Sequence, residues 1–365
     1  MISILAYLAL AFLGLRTMVI LVNYLYSLKA FPEEVASDLD ISILIPCRNE
    51  EKNIGHLLTC LLELEDSVRE IIVCDDHSSD RSFEILTGFA STHQHIHCFK
   101  GAPLPEEYTG KNWACEQLAK AAHGEYMLFI DADLALEGSI IGSLVSKMNK
   151  KNLSLLSVFP KQQMLSIGEK ATVPVMNWIL LSLLPLPLVS LSRMKSFSAA
   201  NGQFMLYRSK AYRNLEPHRS LKSSPVEDIA SMKLFKRNKL RCATFTGDDR
   251  IRCRMYHSRE EALTGFSKNV LHYFSCNPAW ILFFVVFSTF GLFFIALWSL
   301  PWFLASLFAA AAGRILISLT SRQDPFHNLM LLFVQHVNFI FMLYLAYQQK
   351  YRGSLIWKDR EITLP

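Results

Sequence analysis

Tyr126-Met127-Leu128-Phe129-Ile130 runs without a break into Asp131-Ala132-Asp133. Five apolar residues in a row predict a strand buried on both faces, as in a parallel sheet. Two carboxylates follow at its end. Open α/β folds bind ligands outside the carboxyl ends of their strands, and residues i and i+2 of an extended chain share a face. Asp131 and Asp133 therefore read as paired hard oxygen donors for Mg²⁺ or Mn²⁺, which in turn bridges phosphate oxygens. A solvated strand-to-loop turn accounts for the same residues, since Asp is common there.

Working outward, two earlier apolar runs end in the same way. Ile41-Ser42-Ile43-Leu44-Ile45 leads into Pro46-Cys47-Arg48-Asn49-Glu50, and Ile71-Ile72-Val73-Cys74 into Asp75-Asp76-His77-Ser78-Ser79-Asp80. Residues 54–64, 81–89 and 113–122 carry helical spacing, whereas residues 70–74 and 96–99 read as strands. Strands alternating with helices predict a doubly wound, mostly parallel α/β sheet.

Taken in order, P-x-R-N-E, D-D-x-S-x-D and D-A-D resemble the strand-end motifs of family 2 glycosyltransferases of the GT-A fold, over residues 41–269. The resemblance implies that Pro46, Arg48 and Glu50 line a base pocket and that Asp76 binds uracil or ribose. It puts Asp131 at the ribose or metal and Asp133 on the metal. Turn capping explains Asp75 as readily as ligand contact. Gly110-Lys111-Asn112-Trp113-Ala114 is similar to a segment near the nucleotide, where Lys111 would supply charge; an exposed lysine in a turn is the alternative. Pro225-Val226-Glu227-Asp228 is similar to the family's E-D pair, whose Asp is the general base of an inverting transfer. Asp228 is then the base and Glu227 its orienting neighbour, unless both only stabilise a helix N-terminus.

Ala199-Ala200-Asn201-Gly202-Gln203-Phe204 is similar to the family's small-residue loop, with Asn201 at the sugar. The Q-x-x-R-W of polymer-making members has no counterpart. Arg252-Cys253-Arg254-Met255-Tyr256 and Gly265-Phe266-Ser267-Lys268-Asn269 look instead like the branch that glycosylates carotenoids. That likeness implies that Arg254 and Lys268 neutralise the leaving diphosphate.

The rest of the chain is read from its composition. Half is hydrophobic and 19% is charged, against about a quarter for a soluble domain, and the apolar residues gather at the two ends. Residues 2–28 are long enough for a bilayer span, which takes about 20 residues, and Arg16 in their midst either pairs with another helix or marks a tilted segment. Residues 280–300 and 326–347 read as further spans, and residues 301–319 as a third span or a re-entrant hairpin. Residues 173–191 carry Pro174, Pro185 and Pro187, so a buried or membrane-surface segment is expected there. Gln335, His336 and Asn338 either line a lipid path or bond helix to helix. The organisation expected is an anchor (1–28), a GT-A domain (38–275), transmembrane helices (277–348) and a basic tail (349–365). Lys350, Arg352, Lys358 and Arg360 favour a cytoplasmic end, so the expected location is multi-pass in the cell membrane with a cytoplasmic catalytic domain.

A net charge of +5 is too small for a nucleic-acid partner. The eight cysteines form no C-x-x-C pair and the eleven histidines no zinc motif, so buried thiols in a reducing compartment are expected. The expected activity is inverting, metal-dependent transfer of a sugar from a nucleotide-sugar donor, with UDP-glucose the leading donor. The acceptor expected is a hydrophobic lipid with a carotenoid-type hydroxyl or carboxyl. A polyprenyl-phosphate sugar synthase, a non-catalytic scaffold and a transporter are the alternatives, the last disfavoured by few spans.

Overall fold

The computed structural model describes residues 1–27, 39–64, 68–352, 354–357 and 360–363. Residues 28–38, between the expected anchor and the first strand, and Lys358 of the tail lie outside the described residues. Two compact units result, each treated by itself: Lys29–Lys161 with Leu186–Arg254, and Met1–Leu28 with Gln162–Pro185 and Met255–Pro365.

The first unit is a sheet covered by helices. Its strands are β1 (Ile41–Cys47), β2 (Glu70–Asp75), β3 (Ile96–Lys100), β4 (Tyr126–Ile130), β5 (Leu134–Leu136), β6 (Leu155–Phe159), β7 (Lys161–Gln162, at the unit boundary), β8 (Phe204–Arg208), β9 (Cys242–Thr246) and β10 (Ile251–Cys253). Seven form one sheet in the order β3-β2-β1-β4-β8-β6-β9. β1 pairs parallel with both β2 and β4, and β2 with β3, whereas β8 runs antiparallel between β4 and β6.

All five residues of β4 are buried, as an unbroken apolar run requires in the middle of a covered sheet. β3 is half exposed because it is the edge strand. The chain enters β4 through Gly124, where a Cβ would lie 2.7 Å from the Ser42 nitrogen and 2.9 Å from the Asp40 oxygen. Only glycine permits that approach. The helix expected over 113–122 begins earlier, as Gly110–Ala121, because Thr109 caps it by accepting from the Asn112 N–H at 3.3 Å. Apolar spacing has no view of a polar first turn.

The second unit is helical. Ile2–Ser27 and Leu300–Thr320 are long and apolar enough to cross a membrane, and Pro278–Thr289 with Gly291–Trp298 make a third such segment only if their 53° bend lies within one span. Residues 280–300 are therefore not one straight helix, whereas residues 301–319 are. Residues 326–347 break at Leu331 into Pro325–Met330 and Leu332–Arg352. Neither piece is among the helices long and apolar enough to span: the first has six residues, and the second carries polar Gln335, His336 and Asn338. Gln335 donates to the Lys170 oxygen at 3.0 Å, and Asn338 to the Ala171 oxygen at 2.9 Å. Both thus tie helix to helix.

Residues 173–191 split into Pro174–Leu183 and Pro187–Leu191, each with proline in its first turn and Pro185 in the gap, where a missing N–H costs nothing. Arg16 is buried and donates to the Ser182 hydroxyl at 2.9 and 3.1 Å. All eight cysteines are free thiols, six of them buried.

Candidate active site

β1, β2 and β4 end side by side, with Cys47 opposite Asp75 in the β1–β2 register. Asp131 follows β4 at once and is fixed by its N–H, which donates to the Gln203 oxygen at 3.1 Å. The loop before β8 therefore lies against the end of β4. Lys111, in the first turn of Gly110–Ala121, places its Nζ 2.9 Å from Asp131 Oδ1 and 3.3 Å from Glu227 Oε1. Burial opposes the charge on Lys111, but Asp131 and Glu227 overcome it and hold the ammonium well above its ordinary range. Lys111 is thus not an exposed turn residue.

Asp228 opens the helix Glu227–Arg237 next to this pair. Its Oδ2 accepts from the Gly202 N–H at 3.1 Å, and its Oδ1 from the Ile229 N–H at 2.7 Å. Burial, and then the charge of Glu227, push its carboxyl up to about 7. A carboxylate poised there is suited to taking a hydroxyl proton at neutral pH. Gly202 sits in the centre: a Cβ on it would come within 3.1 Å of Glu227 Oε1 and 3.2 Å of Lys111 Nζ. Pro46, Lys111, Asp131, Gly202, Glu227 and Asp228 all line one cavity of about 10 Å³, roughly the space of one water.

Asp133 lies on the other side of Asp131. It accepts from Gln203 Nε2 at 3.0 and 3.2 Å and from the Cys253 thiol at 3.2 Å. Burial first, then Asp131, push its carboxyl up to about 6, and burial with Asp133 raises the Cys253 thiol well above its usual value. Among the described residues no three His, Cys, Asp or Glu side chains converge as a metal cage. A paired Asp131 and Asp133 fit Mg²⁺ or Mn²⁺ in a different manner, since such ions commonly take one or two carboxylates and complete their shell from phosphate and water.

At the nucleoside end, Arg48 donates to the Asp76 and His77 carbonyl oxygens at 2.6 and 3.2 Å, clasping the ends of β1 and β2 together. Glu50 accepts from Asn53 Nδ2 at 2.7 Å. Asp76 is buried and its N–H donates to the Cys47 oxygen at 2.8 Å. Asp75 caps the turn through Oδ2, 3.2 Å from the Ser78 nitrogen, while its Oδ1 is buried without a hydrogen-bond partner, an acceptor left over for a ligand. Asn201 is engaged within its own loop, accepting from the Gln203 N–H at 2.8 Å.

Arg254 closes the sheet unit just after β10, and Lys268 belongs to the helical unit, at the C-terminal cap of Arg259–Ser267. Neither lines the Lys111–Asp228 cavity. Three residues at the site had no role assigned from the sequence, although Gln203 and Cys253 lie inside stretches that carry the resemblance. Gln203 and Cys253 reach Asp133 only because β10 pairs with β5, Cys253 opposite Leu134. His218 also lines the cavity. Its ring sits 4.9 Å from that of Phe129, its Nδ1 lies 2.6 Å from the Tyr212 hydroxyl, and burial followed by Lys111 pushes it down to about 3. It is therefore a neutral ring in the wall.

Residues 42–216 match the family described as Glycosyl transferase family 2. The 4,4'-diaponeurosporenoate glycosyltransferase of Staphylococcus haemolyticus is 26% identical over 233 residues, 63% of this chain and 60% of that protein. The poly-beta-1,6-N-acetyl-D-glucosamine synthase of Staphylococcus epidermidis is 36% identical over 97 residues, 27% of this chain and 22% of that protein. The chain thus spans less than two thirds of either relative. Among solved structures, the mannosyltransferase PcManGT of Pyrobaculum calidifontis, in complex with GDP-Man and Mn²⁺, matches with a TM-score of 0.54 at 15% identity. That match covers 95% of this chain and 99% of the other, a likeness of fold.

Proposed function

Since the chain belongs to family 2 of the glycosyltransferases and has the GT-A fold, we propose that it moves a hexose, with inversion, from a nucleotide-diphosphate sugar to a membrane lipid. The observation that carries this reading is the convergence of Lys111, Asp131, Glu227 and Asp228 on one cavity at the carboxyl edge of the sheet. The cavity holds a cation, a carboxylate with a second one beside it, and a base near neutrality. An inverting transfer needs those three elements.

In the proposed reaction the nucleoside lies at the β1 and β2 ends, where Asp76 and the unpartnered Asp75 oxygen accept hydrogen bonds from a base imide or ribose hydroxyls. Asp131 and Asp133 would hold Mn²⁺ or Mg²⁺, which would supply charge to neutralise the diphosphate. Lys111, hydrogen-bonded to Asp131, adds charge at the same place, and Arg254 and Lys268 are candidates for the same task. Asp228 Oδ takes the proton of an acceptor hydroxyl as its oxygen attacks the anomeric carbon opposite the departing diphosphate. Glu227 keeps the Asp228 carboxyl basic through its charge.

UDP-glucose is our leading donor, and a carotenoid-type hydroxyl or carboxyl our leading acceptor, in keeping with the name of the Staphylococcus haemolyticus relative. The helices Ile2–Ser27 and Leu300–Thr320 suit a cell-membrane protein that meets its acceptor in the bilayer, and Lys350 and Arg352 favour a cytoplasmic tail. The test is purified full-length protein in detergent with UDP-glucose, UDP-galactose or GDP-mannose, Mn²⁺ and a lipid extract, with mass spectrometry of the lipids. A hexose-bearing lipid that disappears with Asp131→Ala supports the reading. Binding of no sugar nucleotide sinks it, and binding without any transfer leaves a scaffold.

A further inference from the structure

The helical unit buries two guanidinium groups that meet no acid among the described residues. Arg16 of Ile2–Ser27 is 8% exposed and Arg314 of Leu300–Thr320 is 5% exposed. Both lie over one ring, that of Trp178 in Pro174–Leu183, at 4.8 and 4.4 Å from its centroid. The two charges are therefore within about 9 Å of each other. Arg16 also stacks on Phe12 and Phe284 at 5.3 and 5.1 Å.

Every hydrogen-bond partner of the pair is neutral. Arg16 donates to the Ser182 hydroxyl. Arg314 donates through Nη1 to Gln335 Oε1 at 3.1 Å, and its Nη2 is buried with no partner at all. Among the described residues neither guanidinium meets a carboxylate. A guanidinium in a protein keeps its proton, so the charge has to be balanced by something else. Aromatic faces ease the burial of a cation, but they supply no acceptor for the idle N–H group. Charges buried at membrane depth are ordinarily paired or mark a ligand.

We propose that Arg16, Arg314 and Trp178 form a binding site for the anionic head, carboxylate or phosphate, of a membrane amphiphile. The head accepts from Arg314 Nη2 and balances both guanidinium groups, and Trp178 separates it from the apolar chain. The planar fork of arginine matches either oxyanion. The site is a property of the helical unit and does not rest on the transfer reaction.

Trp178 reports on the site. The full-length protein in neutral detergent is titrated with dibromostearate and with dibromostearyl alcohol, which differ only in the head. Bromine quenching is read as the difference between the parent and Trp178→Phe. The expected result is saturable quenching by the acid at a concentration about tenfold or more below that of the alcohol. That advantage is lost in Arg314→Gln and in Arg16→Gln and kept in Arg352→Gln.

Equal quenching by acid and alcohol in the parent, with no preferential quenching by brominated phosphatidylglycerol, overturns the proposal, and so does an advantage that survives both substitutions. If the substituted proteins do not fold, the comparison in the parent alone decides. A parallel titration with brominated phosphatidylglycerol separates the sources. Competition by that lipid alone identifies a phospholipid head, competition by the free acid alone identifies a single-chain acid, and quenching by neither overturns the site. No sugar nucleotide is present, so this outcome and that of the transfer assay are independent.

Discussion

The two units bury positive charge in opposite ways. In the sheet unit Lys111 is half-buried among carboxylates, 2.9 Å from Asp131 and 3.3 Å from Glu227, and the chain balances its own charge. In the helical unit Arg16 and Arg314 have a hydroxyl, an amide and aromatic faces as neighbours, and the chain leaves the balance to something else. A balanced cluster keeps its side chains in place before a ligand arrives, which suits chemistry that depends on preorganised groups. An unbalanced pair attracts a ligand of opposite sign. The contrast predicts that substitutions in the first cluster act on turnover, and that those in the second act on lipid affinity.

The largest expected effect is at Asp228. With a hydroxyl acceptor, Asp228→Asn removes the base and should lower kcat about a thousandfold, with little change in donor Kd measured by calorimetry. With a carboxyl acceptor, already ionised at neutral pH, the same substitution should cost little, and the role of Asp228 as base fails for that substrate. The measurement thus also distinguishes the two acceptor chemistries.

Next comes Lys111→Met, which turns the balanced cluster into three uncompensated carboxyl groups. Breaking a fully buried pair costs about 3–5 kcal/mol. The side chains here are 22% and 29% exposed, so a loss of about 2 kcal/mol in urea unfolding is expected. Unchanged stability and unchanged turnover would remove the basis of the comparison. Gly202→Ala probes the same cluster sterically: its Cβ presses on Glu227 and Lys111, and a roughly tenfold fall in kcat/KM is expected from a misplaced catalytic group.

The pH profile sharpens the contrast further. Asp228 must be ionised to act, and its carboxyl is pushed up from its ordinary value to about 7, first by burial and then by Glu227. For a hydroxyl acceptor, log kcat should rise with unit slope below pH 7 and level off above it. The linked stability term has the opposite sense. The folded state holds this proton to higher pH than the unfolded chain does, so the contribution is full below the ordinary carboxylate range and is lost as pH rises through about 7. A profile already flat at pH 5 would show that Asp228 is not the group that titrates.

The legible parts of the molecule were those in which chemistry lies next to a continuous apolar run. β1, β2 and β4 contain such runs, and Pro46, Asp75, Asp76 and Asp131 are simply the residues that follow the apolar stretches. Asp228 was legible as a helix start, and Lys111 by its resemblance to a segment near the nucleotide, just before the helix read over 113–122. Their meeting was not, because residues far apart in sequence are joined by the order of the sheet, and nothing local announces that β8 inserts antiparallel between β4 and β6. In the helical unit, hydropathy marked apolar segments but not their breaks. The bend at Phe290 and the stop at Leu331 depend on packing, and the Trp178 ring that gathers two arginines comes from a segment the prolines made ambiguous.

Cys253→Ala is the smallest expected effect and the finest probe of the contrast. Asp133 has neutral donors, Gln203 and Cys253, and lies beside a second carboxylate. Its surroundings resemble those of the two arginines with the sign reversed. Removing the thiol takes away one weak donor and no charge, so stability should fall by about 1 kcal/mol or less. If Asp133 awaits a cation as Arg314 awaits an anion, that small loss should appear in Mn²⁺ affinity, followed by paramagnetic resonance, as a weakening of no more than a few-fold. The same variant should leave quenching of Trp178 by dibromostearate untouched. A tenfold or larger loss of Mn²⁺ affinity would mean that the thiol itself holds the ion, and Asp133 would then be no counterpart to the arginines.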